Sequence, residues 1–161
     1  MTRRRNKRPA FSLVELVVVI VIIGILAAIA IPRLSRGSQG ASQSALSANL
    51  ATVRNALSLY AVEHNNAWPG PDAAGFTTKL TTQTNISGGT PGASERKYGP
   101  YLLAIPPAPV GTKAGENSVK VVTGTTPAPD DSTGWLYNAD TGEFLANTAS
   151  TDDTGKAYKQ Y

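Results

Sequence analysis

The chain has no cysteine and a single histidine among its 161 residues. The first absence removes disulfide staples, thiol nucleophiles and cysteine-ligated zinc together. Oxidising compartments permit disulfides without requiring them, so the absence does not imply a reducing location. Charge is also scarce, with Asp, Glu, Lys and Arg making up 16% of residues. The formal net charge of +4 misrepresents most of the chain. Five of the fifteen basic residues (Arg3, Arg4, Arg5, Lys7 and Arg8) fall in the first ten positions, and the other ten face eleven Asp and Glu. Basicity therefore belongs to a short leader, and no nucleic-acid partner is expected. Phosphate-cradling glycine motifs and metal-hydrolase signatures are missing as well. His64 has no evident catalytic partner, so capping or packing is its expected role. Nothing here points to an enzyme.

What the chain does have is a long apolar run. From Phe11 to Ile31 the sequence contains one ionisable group, Glu15, and one hydroxyl, Ser12. As a helix this stretch is roughly 31 Å long, about the thickness of a bilayer's hydrocarbon core. Valine and isoleucine favour strands, but in lipid only a helix satisfies a lone segment's backbone. The cluster Arg3–Arg8 should stay cytoplasmic, placing everything after Pro32 on the far side of the membrane.

Several kinds of segment begin this way. A secretory signal would use Ala28-Ile29-Ala30 as its cleavage site, but its apolar core is usually shorter and lacks an acid. A twin-arginine signal would hold its arginines closer to the apolar run. A plain uncleaved anchor also fits the length.

The order Arg8-Pro9-Ala10-Phe11-Ser12-Leu13-Val14-Glu15-Leu16, then the apolar run and Pro32, resembles the leader of type IV pilins and type II secretion pseudopilins. The resemblance implies cleavage between Ala10 and Phe11 by a prepilin peptidase, with methylation of the new amino terminus at Phe11. The family usually has glycine before the cut, where this chain has Ala10. Glu15 then becomes the fifth residue of the mature chain. A carboxylate at that depth costs several kcal/mol unless paired or neutralised. The resemblance implies pairing with the amino terminus of a neighbouring subunit, which sets the axial step. The local alternative is a capping box, Ser12-x-x-Glu15, at a helix start. Gly24 and Pro32 mark where the helix should kink or loosen, although Gly24 also suits close helix packing.

Beyond Pro32 the polar, glycine-containing run Arg33–Gly40 makes helicity doubtful. From Ala41 the pattern sharpens, because Leu46, Leu50, Val53, Leu57 and Tyr60 recur on one helical face. That helix should end near His64-Asn65-Asn66, ahead of Trp68-Pro69-Gly70-Pro71. A short helix is expected over Ala74–Leu80, and a flexible surface loop over Thr81–Ser94. Within that loop Asn85-Ile86-Ser87 is a formal glycosylation acceptor. Strand signals follow at Ser118–Thr123, Gly134–Asn138 and Glu143–Ala146, the last two flanking a hairpin turn over Ala139–Gly142. The expected fold is α+β and pilin-like, with a long N-terminal helix packed on an antiparallel sheet of about three strands. Its parts are a leader (1–10), a membrane or filament-core helix (11–32), an amphipathic helix (33–66), and loops with the sheet (67–161).

Tyr98-Gly99-Pro100-Tyr101-Leu102 with Ile105-Pro106-Pro107 resembles the loop before the sheet in G-type major pseudopilins. There an Asp-Pro-Trp-Gly-like segment usually follows, and here Ala108-Pro109-Val110-Gly111 replaces it. Family resemblance also makes calcium the one candidate cofactor, through Asp152 and Asp153 with Asp130 or Asp131. Solvated turn residues explain the same acids. The function implied is a pseudopilus subunit that helps drive protein export from the inner membrane. Implied partners are like subunits, other pseudopilins, a prepilin peptidase, an assembly platform with its ATPase, and lipid before assembly. A type IV pilus subunit (adhesion, motility or DNA uptake) is the near alternative. The distant one is an anchored or secreted binding domain using Trp68, Trp135 and nearby tyrosines.

Overall fold

The computed structural model describes residues 11–124 and 127–161. The basic leader Arg3–Arg8 and Ala10 lie outside the described residues. Two compact units divide between Ser38 and Gln39.

Helix α1 runs Leu13–Glu63. The first unit holds its apolar part, where Leu13–Ala30 is long and apolar enough to cross a membrane and has none of its length buried. Gly24 and Pro32 both fall inside α1, which is not interrupted at either. The doubtful stretch Arg33–Gly40 is helical too. A glycine costs about 1 kcal/mol in a helix, and extending an existing helix is far cheaper than nucleating a second one.

In the second unit the apolar stripe of α1 is buried as its spacing predicts. Leu46, Leu50, Val53, Leu57 and Tyr60 join Phe76, Leu80, Ile105, Val119, Trp135, Tyr137 and Phe144 in one core. The helix stops where Asn65 and Asn66 turn left-handed (φ 55° and 62°), with Asn66 N–H donating to the Ala61 carbonyl. Helix α2, Ala73–Thr81, is capped by Asp72, which accepts from Gly75 N–H at 2.8 Å. The intervening loop is held by hydrogen bonds. Asn85 Oδ1 accepts from Ser87 and Gly89 N–H, its Nδ2 donates to Glu95, and Thr84 pairs with Tyr98.

Three strands follow, β1 Val119–Val122, β2 Trp135–Asn138 and β3 Phe144–Ala146, in that spatial order. The α+β class stands, but the sheet is mixed. Strands β2 and β3 pair antiparallel as expected, whereas β1 runs parallel to β2. The physical reason is the connection. A tight turn joins β2 to β3, while the segment 123–134 is long enough for the crossover that parallel strands need. Central strand β2 is buried on both faces.

Gly142 closes the β2–β3 turn with φ +75°, and a Cβ there would meet the Trp68 ring at 2.6 Å. Gly142→Ala therefore combines backbone strain with a steric clash. It should destabilise the domain by about 1–3 kcal/mol, read as a lowered Tm of the detergent-solubilised chain.

Candidate functional site

The apolar helix begins with a local cap. Ser12 precedes the first helical residue, and its backbone N–H donates to Glu15 Oε2 at 2.9 Å. This is the return half of a capping box, in which the acid three residues into the helix satisfies the cap's own amide. It also favours negative charge at the positive end of the helix dipole. Phe11, Leu13 and Val14 are 77%, 78% and 67% exposed. Glu15 is thus the one acid in a surface that is otherwise apolar and uncovered.

In the second unit the ionisable groups are committed to structure. His64 is buried, with Nδ1 2.8 Å from the Tyr60 carbonyl and Nε2 2.9 Å from Thr84 Oγ1. Its ring stacks on Tyr60 at 3.8 Å between centroids. In the neutral ring Nδ1 carries the hydrogen, because a carbonyl can only accept, and Nε2 accepts from the threonine. Packing is its role, as expected. Arg54 donates to the Phe144 carbonyl through Nε and Nη2, and to the Tyr161 carbonyl through Nη1. Periodicity placed Arg54 off the apolar stripe without revealing that it ties α1 to β3 and to the end of the chain. Glu63 accepts from the Tyr101 hydroxyl at 2.7 Å. Burial, followed by this bond, pushes the Tyr101 phenol well above its ordinary range.

The late acids divide among separate turns. Asp130 pairs with Lys120 and accepts from Ser132 and from Asn147 Nδ2. Asp131 accepts from Thr112 and Thr148 hydroxyls. Asp152 accepts from Thr154, from Lys156 N–H and from the Tyr161 hydroxyl. Asp153 accepts from Gln43. Among the described residues no three acid or imidazole side chains are grouped as metal ligands. A cation at Asp130 would have to displace the Lys120 ammonium. Trp135, offered as a ligand platform by the binding-domain alternative, is fully buried and donates to the Pro106 carbonyl at 2.7 Å.

Comparison with known proteins identifies the first segment. Residues 5–31 match the family model described as the prokaryotic N-terminal methylation motif. The chain therefore carries the processing signal of type IV pilins and pseudopilins, whose members are structural filament subunits rather than enzymes. One apolar N-terminal helix and this motif together are consistent with a single-pass, membrane-anchored, pilin-like subunit. Neither the curated proteins nor the solved structures give a match to the chain.

The turn acids set the pH dependence of the domain. Asp130 is held well below the carboxylate range by Lys120, with Ser132 and Asn147 adding to it. Asp131 is lowered by Thr148 and Thr112, and Asp152 by Tyr161 and Thr154. A depressed carboxylate binds fewer protons folded than unfolded. Its stabilisation is fully present above the unfolded value near about 4, and is lost as pH falls through the folded value. The Tm should be flat from about pH 5 to 8 and should fall progressively below about pH 4. A Tm independent of pH down to about 2 would contradict this account of the turns.

Proposed function

We propose that this chain is a structural subunit of a type II secretion pseudopilus. Prepilin peptidase cuts it between Ala10 and Phe11, Phe11 is methylated, and the mature chain polymerises through Phe11–Ile31. The carrying observation is that the apolar stretch Leu13–Ala30 is entirely unburied while being joined to a domain with its own complete core. Fully burying each large apolar side chain is worth about 1.5–3 kcal/mol. A surface of this kind is stable only under lipid or against like helices. It waits in the inner membrane as a single span, with the domain outside the cytoplasm, and moves into the filament core on assembly. The assembly platform and its ATPase would supply the work. The absence of cysteine favours a pseudopilus over an adhesive pilus, whose subunits often close their last loop with a disulfide.

Glu15 has two successive roles in this reading. Before assembly its carboxylate closes the helix cap on Ser12 N–H. After cleavage the Phe11 amine of an incoming subunit pairs with it, so that apolar burial supplies affinity and one ion pair supplies register. The cost of an unpaired charge in lipid, several kcal/mol, makes any other register unfavourable.

Two measurements test this reading. Intact mass and terminal sequencing of protein from native membranes should give a chain beginning at Phe11 with one added methyl group. A start at Ile31 would mean an ordinary secretory signal and a soluble domain. Glu15→Gln separates cap from charge, because glutamine still closes the box. The variant should be processed and folded normally, yet yield filaments reduced by about tenfold or more, the effect of losing at least ~1.4 kcal/mol per contact. Wild-type filament yield from this variant would remove the pairing role.

A further inference from the structure

The loop after α2 closes over the hydroxyl of Tyr60, which has no hydrogen-bond partner among the described residues. Tyr60 is 2% exposed, and its ring is fixed by stacking on His64 and by an edge contact with Tyr101. Burial raises its phenol above the ordinary value, so the group remains an O–H donor at neutral pH. A buried donor without an acceptor is costly to the fold, and an acceptor delivered to it is held. The hydroxyl ends at Gly88. Backbone there is left-handed (φ +76°), and a Cβ would overlap the Tyr60 hydroxyl and lie 3.4 and 3.5 Å from Lys79 Cε and Nζ. Lack of a side chain thus lets a phenol donor and an ammonium converge on one spot.

That spot borders a groove of about 280 Å³ between one face of α2 and the loop 83–90. Its size is near the lower end of the range for small-ligand sites. Thr78, Lys79, Gln83, Gly88, Gly89 and Thr90 supply most of its lining, and no lining residue is acidic. Lys79 is the one cation there, and the ion pairs among the described residues, Lys113–Glu116 and Lys120–Asp130, lie elsewhere. Acids close to it in the chain or the fold are already engaged. Asp72 accepts from Gly75 N–H, Glu63 from the Tyr101 hydroxyl, and Glu95 from Asn85 Nδ2 and Gly92 N–H. The loop wall is fastened by its own bonds, from Gly89 N–H to Asn85 Oδ1 and between Thr84 and His64. By contrast, the Thr78, Gln83 and Thr90 side chains make no hydrogen bond among the described residues.

We infer that this groove binds a small hydroxylated monocarboxylate, chemically a sugar acid, with its carboxylate between Lys79 Nζ and the Tyr60 hydroxyl. One lysine matches one negative charge, which fits a carboxylate better than a doubly charged phosphate. Ammonium and phenol both donate, and an ionised carboxylate only accepts. Charge-assisted bonds of this kind are roughly twice as strong as neutral ones. The hydroxyls of Thr78 and Thr90 and the Gln83 amide both donate and accept, which suits a ring carrying several hydroxyls. No part of the groove comes from Phe11–Ile31, so the site is independent of the filament reading.

The experiment is calorimetric titration of the detergent-solubilised full chain with glucuronate, glucose and acetate at matched ionic strength. Glucuronate carries both the carboxylate and the ring hydroxyls, and the other two carry one each. It should bind about tenfold or more tighter than either. Lys79→Gln and Tyr60→Phe should each weaken it about tenfold, the effect of losing one hydrogen bond to a charged group. Tyr60→Phe keeps the ring and its stacking, and Lys79→Gln probes the same site from the helix surface should the core variant fail to fold. Lys97→Gln removes an exposed lysine that does not line the groove, and should leave binding unchanged. Absence of glucuronate binding, or binding no tighter than that of glucose or acetate, would overturn the inference. So would undiminished binding to Lys79→Gln or to folded Tyr60→Phe, or an equal loss in Lys97→Gln.

Discussion

A helix whose first eighteen residues are bare and, apart from Glu15, apolar imposes the constraint from which the rest follows. Among the described residues nothing covers Leu13–Ala30, so its stability depends on surroundings other than those residues. Lipid meets that need without specificity, because hydrocarbon tails accept any apolar face equally. Like helices meet it with shape, and in the proposed filament one acid near the start of the span would make the fit directional. The Ser12–Glu15 cap keeps that acid satisfied while the helix is alone. In the proposed reading the same surface serves for storage in a membrane and for assembly from it.

The domain joined to this helix must hold together without help from it. No disulfide is available, and the core is small. Its solution is to use the far part of α1 as a central strut and fasten the other elements to it. Apolar packing along the Leu46–Tyr60 stripe supplies the non-directional part. Directional bonds are added along it: Gln43 to Asp153, Asn49 to the Pro107 loop, Arg54 to β3 and Tyr161, and Glu63 to Tyr101, with His64 just past its end bonded to Thr84. Each spends the polar capacity of a residue on or beside the helix on a group far away in sequence. That expenditure also explains why the opposite face of the helix is neutral, since its two charged residues are both turned inward.

The turn acids show the same economy on a smaller scale. Asp130, Asp131 and Asp152 each collect several donors from their own or a neighbouring loop. A carboxylate engaged in this way organises short irregular segments that have no ladder of backbone bonds. Clustering of acids late in the sequence resembles a cation site on composition alone. Placed in space, each of these acids has its own set of donors.

Local signals were legible from residues alone. The apolar run, the Ser12-x-x-Glu15 box, the Leu46–Tyr60 stripe, the short helix near Ala74–Leu80 and the three strand segments all depend on neighbours within a few positions. Periodicity and capping chemistry report such neighbours directly. What the tertiary structure decided was every relation between distant segments. It set β1 parallel to β2 where an antiparallel sheet was expected, because strand direction depends on how a long connection crosses the domain. It carried α1 through Arg33–Gly40, where composition argued for a break and propagation from both sides prevailed. It sent Arg54 inward to a backbone carbonyl ninety residues away, and it gave each late aspartate its donors. Hydrogen bonds and packing between remote residues leave no periodic trace in the chain, so only the fold could assign their partners.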